Sequence, residues 1–371
     1  MNAMTRRVVI ATAAISMAVS LSACGKAGDS DKGDGGSSQG SGDLGKTIGL
    51  LLPENKTTRY ETFDRPIMEA KIKALCADCE VKYNNAAQDI ETQKKQFDAL
   101  ITQGVKVIIL DAVDFKATKS WITTAEKQGV KVVAYDRLAE GPISAYVSYD
   151  NEKIGNLQGE ALVKALGAKA KDSNVVMING SPTDPNAGFF KKGAEDILKK
   201  ETKKVVYSQD IPDWSPDEAN KKMGAAIDSL GKTGFQGVYA ANDGMAGGII
   251  TALEKQGIKV PVGGQDSELA GLQRILSGKQ SFSIYKQIKP EAETTAEIAV
   301  RILQGKKFDD LTPIKVDSIS GDFKGTPSKL YDAQVVTKEN IADTVIKDNV
   351  YKASEICTAD FKKACDAAGI K

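Results

Sequence analysis

Residues 131–138 read KVVAYDRL, an apolar run of strand length that ends in an acid followed at once by a base, Asp136 and Arg137. Short apolar runs of this kind are what buried parallel strands look like in sequence. In an open α/β sheet, solutes gather beyond the carboxyl ends of the strands, where a carboxylate can accept hydrogen bonds and a guanidinium can donate them. On a solvated surface the same pair would be an ion pair of little worth. Its surroundings decide between the two.

Upstream, KTIGLLLP at 46–53 reads as a buried strand. Apolar positions at helical spacing follow (Ile67, Met68, Ile72, Leu75), then a second strand, VKYNNAA at 81–87. A helix over 89–103, ended by Gly104, leads to the strand VKVIILDA at 105–112, and a helix over 116–128 leads back to KVVAYD. AYVSYD at 145–150 closes the series. At 151–166 a new helix begins and the alternation restarts, with strands SNVVMING, KKVVYSQDI, GVYAAND and VPVGGQD and helices near 188–200, 216–230, 245–256 and 268–277. Strands alternating with helices imply an α/β protein with parallel sheets covered on both faces, here two doubly wound lobes. A further helix over 290–304, with Ala292, Thr295, Ile298, Ala299 and Ile302 as its buried face, follows the last strand, SFSIYKQ.

The residues just after the strands form a consistent set. The first strand leads to Lys56, Arg59 and Tyr60, and the fourth to Asp136 and Arg137. The second lobe adds Asp184, Asn186, Trp214, Asn242 and Asp266, and Lys286 lies between the lobes. Carboxylates, amides, guanidinia and an aromatic plane suit an uncharged polyol, whose hydroxyls both donate and accept and whose C–H patches cover an aromatic face. Each residue also has a plainer reading: Asp243 and Asp150 as helix caps or hinge supports, Trp214 as packing, Lys286 as a solvated charge, Tyr60 and Phe189 as lid or core.

The remaining features place the chain and exclude other classes. A basic start, an apolar stretch over 8–21 and LSAC ending at Cys24 have the layout of a secretory signal, expected to span 1–23. The Gly/Ser/Asp-rich segment after it, 24–45 with Cys24 included, reads as a flexible tether. Basic and acidic residues balance, 50 against 49, so nothing suggests nucleic acid as a partner. Four cysteines remain, Cys76, Cys79, Cys357 and Cys365, and an exported chain is expected to oxidise them, the local pairs being favoured among three connectivities. A zinc site would need the two pairs to meet in space. No P-loop string is present, and there is no His to act as the commonest general base.

The ordered strings AYDRL, SYDNEKIG, NGSPTDPNA, DWSPDEA, AANDGMAGG, GGQDSELAGLQRI, SIYKQI and ADTVIKDNV resemble the periplasmic sugar-binding proteins of ABC transporters, and among them the xylose-binding proteins. LSAC likewise resembles a lipobox, which implies lipid on Cys24 and an extracytoplasmic protein anchored to the outer face of the membrane. The resemblance runs from about Lys46 to about Tyr351. It implies a type I solute-binding fold: a lobe of 46–150 with 287–316, a lobe of 151–286 with 317–371, and three crossings, the third near 315–318. It implies a monomer that closes on one monosaccharide and presents it to a permease, with no cofactor and no catalysis. The implied sugar contacts are Arg59, Asp136, Arg137, Asp184, Asn186, Trp214, Asn242, Asp266 and Lys286, with Lys56 where the family has another basic residue. Tyr60 stands where xylose-binding proteins commonly carry Trp, so the sugar is left open among xylose and related aldopentoses and aldohexoses. Rival readings are a glycosidase using Asp136 and Asp266, a chemosensory receptor, and a transcription regulator on the same lobes. The exported start leaves no DNA-reading helices for the last.

Overall fold

The computed structural model describes residues 46–370. The signal, Cys24 and the tether lie outside the described residues.

Strands β1 (Thr47–Leu52), β2 (Glu80–Asn85), β3 (Val107–Leu110), β4 (Lys131–Tyr135) and β5 (Ala145–Tyr149) pair in parallel in the order β2-β1-β3-β4-β5. β1, β3 and β5 are buried along their whole length, which is why they read as apolar runs without alternation. One face of the sheet is covered by helices Arg65–Leu75 and Ile288–Leu303, the other by Ile90–Thr102 and Thr118–Lys127. The order reverses between β1 and β3, so a crevice opens at the carboxyl ends of the strands.

The second lobe repeats this plan with β6 (Asn174–Asn179), β7 (Lys204–Asp210) and β8 (Gly237–Ala240) in the order β7-β6-β8. The expected strand VPVGGQD forms only one bridge, Val238 to Val262. It still runs extended between β8 and β9 (Ser283–Lys286), bonding Val238 through Pro261 O and Gly263 N, and Ile284 through Gly264 O and Asp266 N. Glycine is required there: a Cβ on Gly263 would meet the Phe282 ring at 2.3 Å, and one on Gly264 would meet Asp243 Oδ1 at 2.0 Å.

The chain crosses between lobes at Asp150 and at Gln287. After the second crossing, helix Ile288–Leu303 returns to the first sheet, burying Ala292, Thr295, Ile298 and Ala299 as expected, while Ile302 is half-buried. The third crossing is not near 315–318. β10 (Ile314–Val316) and β11 (Thr326–Tyr331) form an antiparallel hairpin that extends the first sheet beyond β5, so 317–331 stay with the first lobe. The chain crosses at Asp332 and pairs β12 (Ala333–Val336) with β9. The hairpin escaped the sequence reading because a strand of mixed polarity next to the sheet edge, TPSKLY, lacks the apolar run of a central strand. The tail packs on β9 and β12, and the cysteines pair locally, Cys76 with Cys79 and Cys357 with Cys365.

Candidate functional site

The two crevices face each other, and the strand-end loops meet in a buried cavity. It is lined by Thr57, Arg59, Tyr60, Asp136, Arg137, Asp184, Asn186, Phe190, Trp214, Asn242, Gln265, Asp266 and Lys286. The expected site residues are all in this set except Lys56. That side chain is 41% exposed, with its ammonium 4.0 Å from Asp213. Two neighbours on the same loop, Thr57 and Arg59, point inward instead.

Consecutive residues of a strand face opposite ways, so Asp136 and Arg137 could not share a cavity if β4 simply continued. The chain instead makes a γ-turn: Asp136 has φ +53°, and Arg137 N–H donates to Tyr135 O at 2.6 Å. The turn is held through the Asp136 carbonyl, which accepts from Ser148 Oγ at 2.6 Å, Tyr146 Oη at 3.1 Å and Asn186 Nδ2 at 3.1 Å. Trp214 (φ +52°) and Asp266 (φ +91°) adopt the same uncommon left-handed backbone. Such strain collects where side chains must be aimed at a ligand.

Arg59 is fixed from behind. Its Nε and NH2 bond Asp64, NH2 also reaches Glu291 Oε2 at 2.7 Å and Tyr135 Oη at 3.0 Å, and the Tyr135 hydroxyl donates to Asp64. NH1 is left facing Asp136 Oδ1 at 3.5 Å. Burial pushes Glu291 up to about 8 in spite of Arg59. For Asp136, burial acts upward, but Arg59, Lys286, Arg137 and the Tyr60 hydroxyl outweigh it and hold the acid below the usual carboxylate range.

Arg137 is held by protein atoms on several sides, although its Nε makes no hydrogen bond. NH1 donates to Ala112 O at 3.2 Å and NH2 to Tyr60 Oη at 3.3 Å, while Nε lies 3.0 Å from Asp184 Oδ2 and 3.4 Å from Asp111 Oδ1. Burial drives Asp111 well above the ordinary range and Asp184 to about 6, with Arg137 opposing in both cases.

The second lobe places its groups at helix starts. Asp184 caps Pro185–Glu201 through Asn186 N, Ser215 caps Pro216–Leu230, and Asn242 caps Asp243–Lys255 through Met245 N. Asp150 caps its helix as expected, but Asp243 does not cap. It is buried and accepts from Gln280 Nε2, Ser283 Oγ and Glu268 N. Burial pushes it to about 7, and the network fixes the loop that carries Gln265 and Asp266. Lys286 is buried rather than solvated, 2.9 Å from Asp266 Oδ1 and above the rings of Tyr149 and Phe190. Asp266 and Asp136 outweigh the burial that would lower its pKa. Phe190, not Phe189, reaches the cavity. The Trp214 indole lies so close to Gly180 that a Cβ there would fall 2.1 Å from Cη2.

Among the described residues, six buried polar atoms of this lining have no hydrogen-bond partner: Arg59 NH1, Arg137 Nε, Trp214 Nε1, Asp136 Oδ1, Gln265 Oε1 and Asp266 Oδ1. Three are donors and three are acceptors, and all but the Trp214 and Gln265 atoms also face an opposite charge. Leaving such atoms unpaired costs on the order of 1–3 kcal/mol each, so a native protein keeps them for a purpose. Gln265, Phe190 and Thr57 were not singled out in sequence, although each adjoins a residue or segment that was.

Two α/β lobes of like topology, joined by three crossings around a polar cavity, define a type I solute-binding protein. Residues 48–307 match the periplasmic binding protein domain, and the chain belongs to the periplasmic binding protein family. It is 36% identical over 316 residues to the D-xylose-binding periplasmic protein of Escherichia coli (strain K12), covering 83% of this chain and 92% of that protein. It is 30% identical over 333 residues to the multiple sugar-binding periplasmic receptor ChvE of Rhizobium radiobacter, covering 84% and 92%. An ABC transporter solute-binding protein of Clostridium phytofermentans, solved with bound β-D-glucose, superposes with a TM-score of 0.75 at 28% identity, covering 84% of this chain and 100% of that one. These relatives are solute-binding proteins rather than enzymes.

Proposed function

We propose that the protein captures one neutral monosaccharide, D-xylose or a related aldopentose or aldohexose, between its lobes and delivers it to an ABC permease. We also propose that lipid on Cys24 holds it at the outer face of the membrane. The observation that carries the sugar reading is the set of six buried atoms without a hydrogen bond, three donors and three acceptors, converging on one cavity beside aromatic faces. A hydroxyl is both donor and acceptor, so a single C–OH can bridge Arg59 NH1 and Asp136 Oδ1. The indole N–H and the Gln265 carbonyl supply a second such pair from the opposite lobe.

Charge balance narrows the ligand. The lining holds three cations, Arg59, Arg137 and Lys286, against three acids, Asp136, Asp184 and Asp266. A carboxylate or phosphate would find no surplus positive charge. Asp136, held ionised by its cationic neighbours, is an acceptor for a hydroxyl and not a proton donor to a glycosidic oxygen. Relatives that carry D-xylose, several sugars or β-D-glucose support the class and leave the sugar open.

The lining side chains are buried, so a sugar enters when the lobes part. Closure around it is favoured because only the closed form brings both half-sites to the same ligand. A thermal-shift screen over aldopentoses, aldohexoses, sugar acids and sugar phosphates tests the reading, since a tight ligand raises apparent stability by mass action. A shift with one or a few neutral aldoses is expected. Shifts confined to charged sugars would overturn it.

A further inference from the structure

Asp111 is a buried acid outside the cavity lining. It follows β3 directly, at the end of the first sheet where the strand order reverses. Among the described residues, neither of its carboxylate oxygens has a hydrogen-bond partner. The backbone around it is clamped: Asp111 N–H donates to Leu51 O, and the Gln93 amide donates to Asp111 O at 2.8 Å while accepting from Val113 N at 2.8 Å. The carboxyl group is thereby held against Arg137, with Oδ1 3.4 Å from Nε.

A second acid competes for that N–H. Asp184 Oδ2 approaches the same Nε at 3.0 Å. Asp111 belongs to the first lobe, as Arg137 does, and Asp184 to the second, so only Asp111 stays beside the guanidinium when the lobes part. The other titratable groups that face Asp111 are Asp136 at the end of β4 and Arg59 and Tyr60 on the loop after β1. Arg59 is bonded to Asp64 and Glu291, and the three cations of the lining are matched by its own three acids. With the second lobe in place, an ionised Asp111 has no cation of its own.

We propose that Asp111 is a positioning residue for sugar capture: it partners Arg137 in the open form, and on closure it yields Arg137 to Asp184 and takes a proton from solvent. The ligand in this proposal rests on the sugar-binding reading, whereas the exchange between the two acids is a property of the chain. Burial raises Asp111 well above the ordinary range, Arg137 opposes, and Asp136 and Asp184 add to the rise. Closure brings Asp184 to it and excludes water, and both changes favour the neutral acid. A group whose pKa is higher in the closed form supports closure at low pH and ceases to do so as pH rises.

The test is calorimetric titration of the parent and Asp111→Asn with a neutral aldose, in buffers of different ionisation enthalpy and from about pH 6 to about pH 9. Asn copies the shape of the neutral acid and cannot ionise. Asp111→Leu, which also has no proton to exchange, stands in if Asp111→Asn does not fold. The parent should take up about one proton more per sugar bound than the variant. Its affinity should fall with rising pH more steeply than the variant's, by up to about tenfold per pH unit. Asp184, Asp243 and Glu268 are present in both proteins, so the difference reports Asp111. Equal proton counts, or pH profiles that run parallel as simple packing would make them, would overturn the proposal. A parent that binds no aldose would remove the sugar reading instead, and small-angle scattering without sugar would then decide the exchange. It predicts that the parent is more compact at about pH 6 than at about pH 9, by a larger margin than Asp111→Asn. Equal margins would overturn it.

Discussion

The Tyr60 hydroxyl donates to Asp136 Oδ2 at 3.0 Å while accepting from Arg137 NH2 at 3.3 Å. One oxygen of the acid is thereby occupied, and Oδ1 is turned to the cavity. Tyr60 thus does more than offer a ring: its hydroxyl fixes the acceptor geometry at the end of β4.

Tyr60→Phe keeps the ring and removes that bond. Hydrogen bonds to charged groups contribute about 1.5–3 kcal/mol, and part of this is recovered when Asp136 finds another partner. Sugar affinity should fall by roughly tenfold with the fold intact. Calorimetry giving parent-like affinity would show that the hydroxyl does not position Asp136.

Gly180→Ala tests the seat of Trp214. The added Cβ lies 2.1 Å from the indole, and 2.5 Å from two further ring atoms, so the ring must move. Overpacking of this kind costs about 1–3 kcal/mol. The loss should appear in sugar affinity more than in unfolding, because the indole forms one wall of the cavity. Equal affinity with a lowered melting temperature would place Trp214 in the packing alone.

Glu291 and Asp64 share the guanidinium of Arg59 well inside the first lobe. Glu291, pushed up to about 8, is mostly protonated at neutral pH, so removing it deprives NH2 of a buried acceptor while Asp64 still balances the charge, at about 1–3 kcal/mol. Glu291→Ala should destabilise the protein by about 2 kcal/mol in urea unfolding and also weaken sugar binding, since NH1 is aimed by the groups behind it. Glu291→Gln, which can still accept from NH2, should recover most of both losses. Recovery of neither would contradict the positioning role.

Glu268 provides a pH signature. It sits where the lobes meet and accepts from Thr58 N–H across the cleft. Burial, then Asp243 and Asp266, push it to about 8, against about 4.3 when unfolded. The folded state therefore holds this proton over a wider range. Its contribution to stability is complete below about pH 4.3 and is lost as pH rises through about 8. Glu268→Gln cannot ionise, so relative to the parent it should gain stability from about pH 5 to about pH 9. Unfolding curves with the same offset at both pH values would contradict the assignment.

Much of this was legible in the chain itself. The restart of the strand–helix alternation at Asn151 announced a second lobe, and buried parallel strands announced themselves as uninterrupted apolar runs. Polar residues at strand ends marked most of the cavity. What did not show was anything that depends on tertiary approach. Asp64 and Glu291 lie at or near helix starts, where acids are ordinarily solvated, so their grip on Arg59 had no local signal. Gln265 stands beside Asp266, and strand alternation would let only one of the two face the cavity; the left-handed backbone at Asp266, which lets both do so, has no local signal. Lys56 illustrates the converse: the right residue type on the right loop, pointing out. Arg137 and Asp184 read in sequence as polar residues after strands, but that they pair across the cleft appears only when both lobes are in place.

The most direct test of the central claim is calorimetric titration of the protein with D-xylose and D-glucose, repeated on Asp136→Ala. A neutral-sugar clamp predicts one site per chain for at least one of these or a closely related aldose, and a loss of at least about a hundredfold when the Asp136 acceptor is removed. Absence of binding heat for every neutral aldose, or affinity unchanged in Asp136→Ala, would contradict the account.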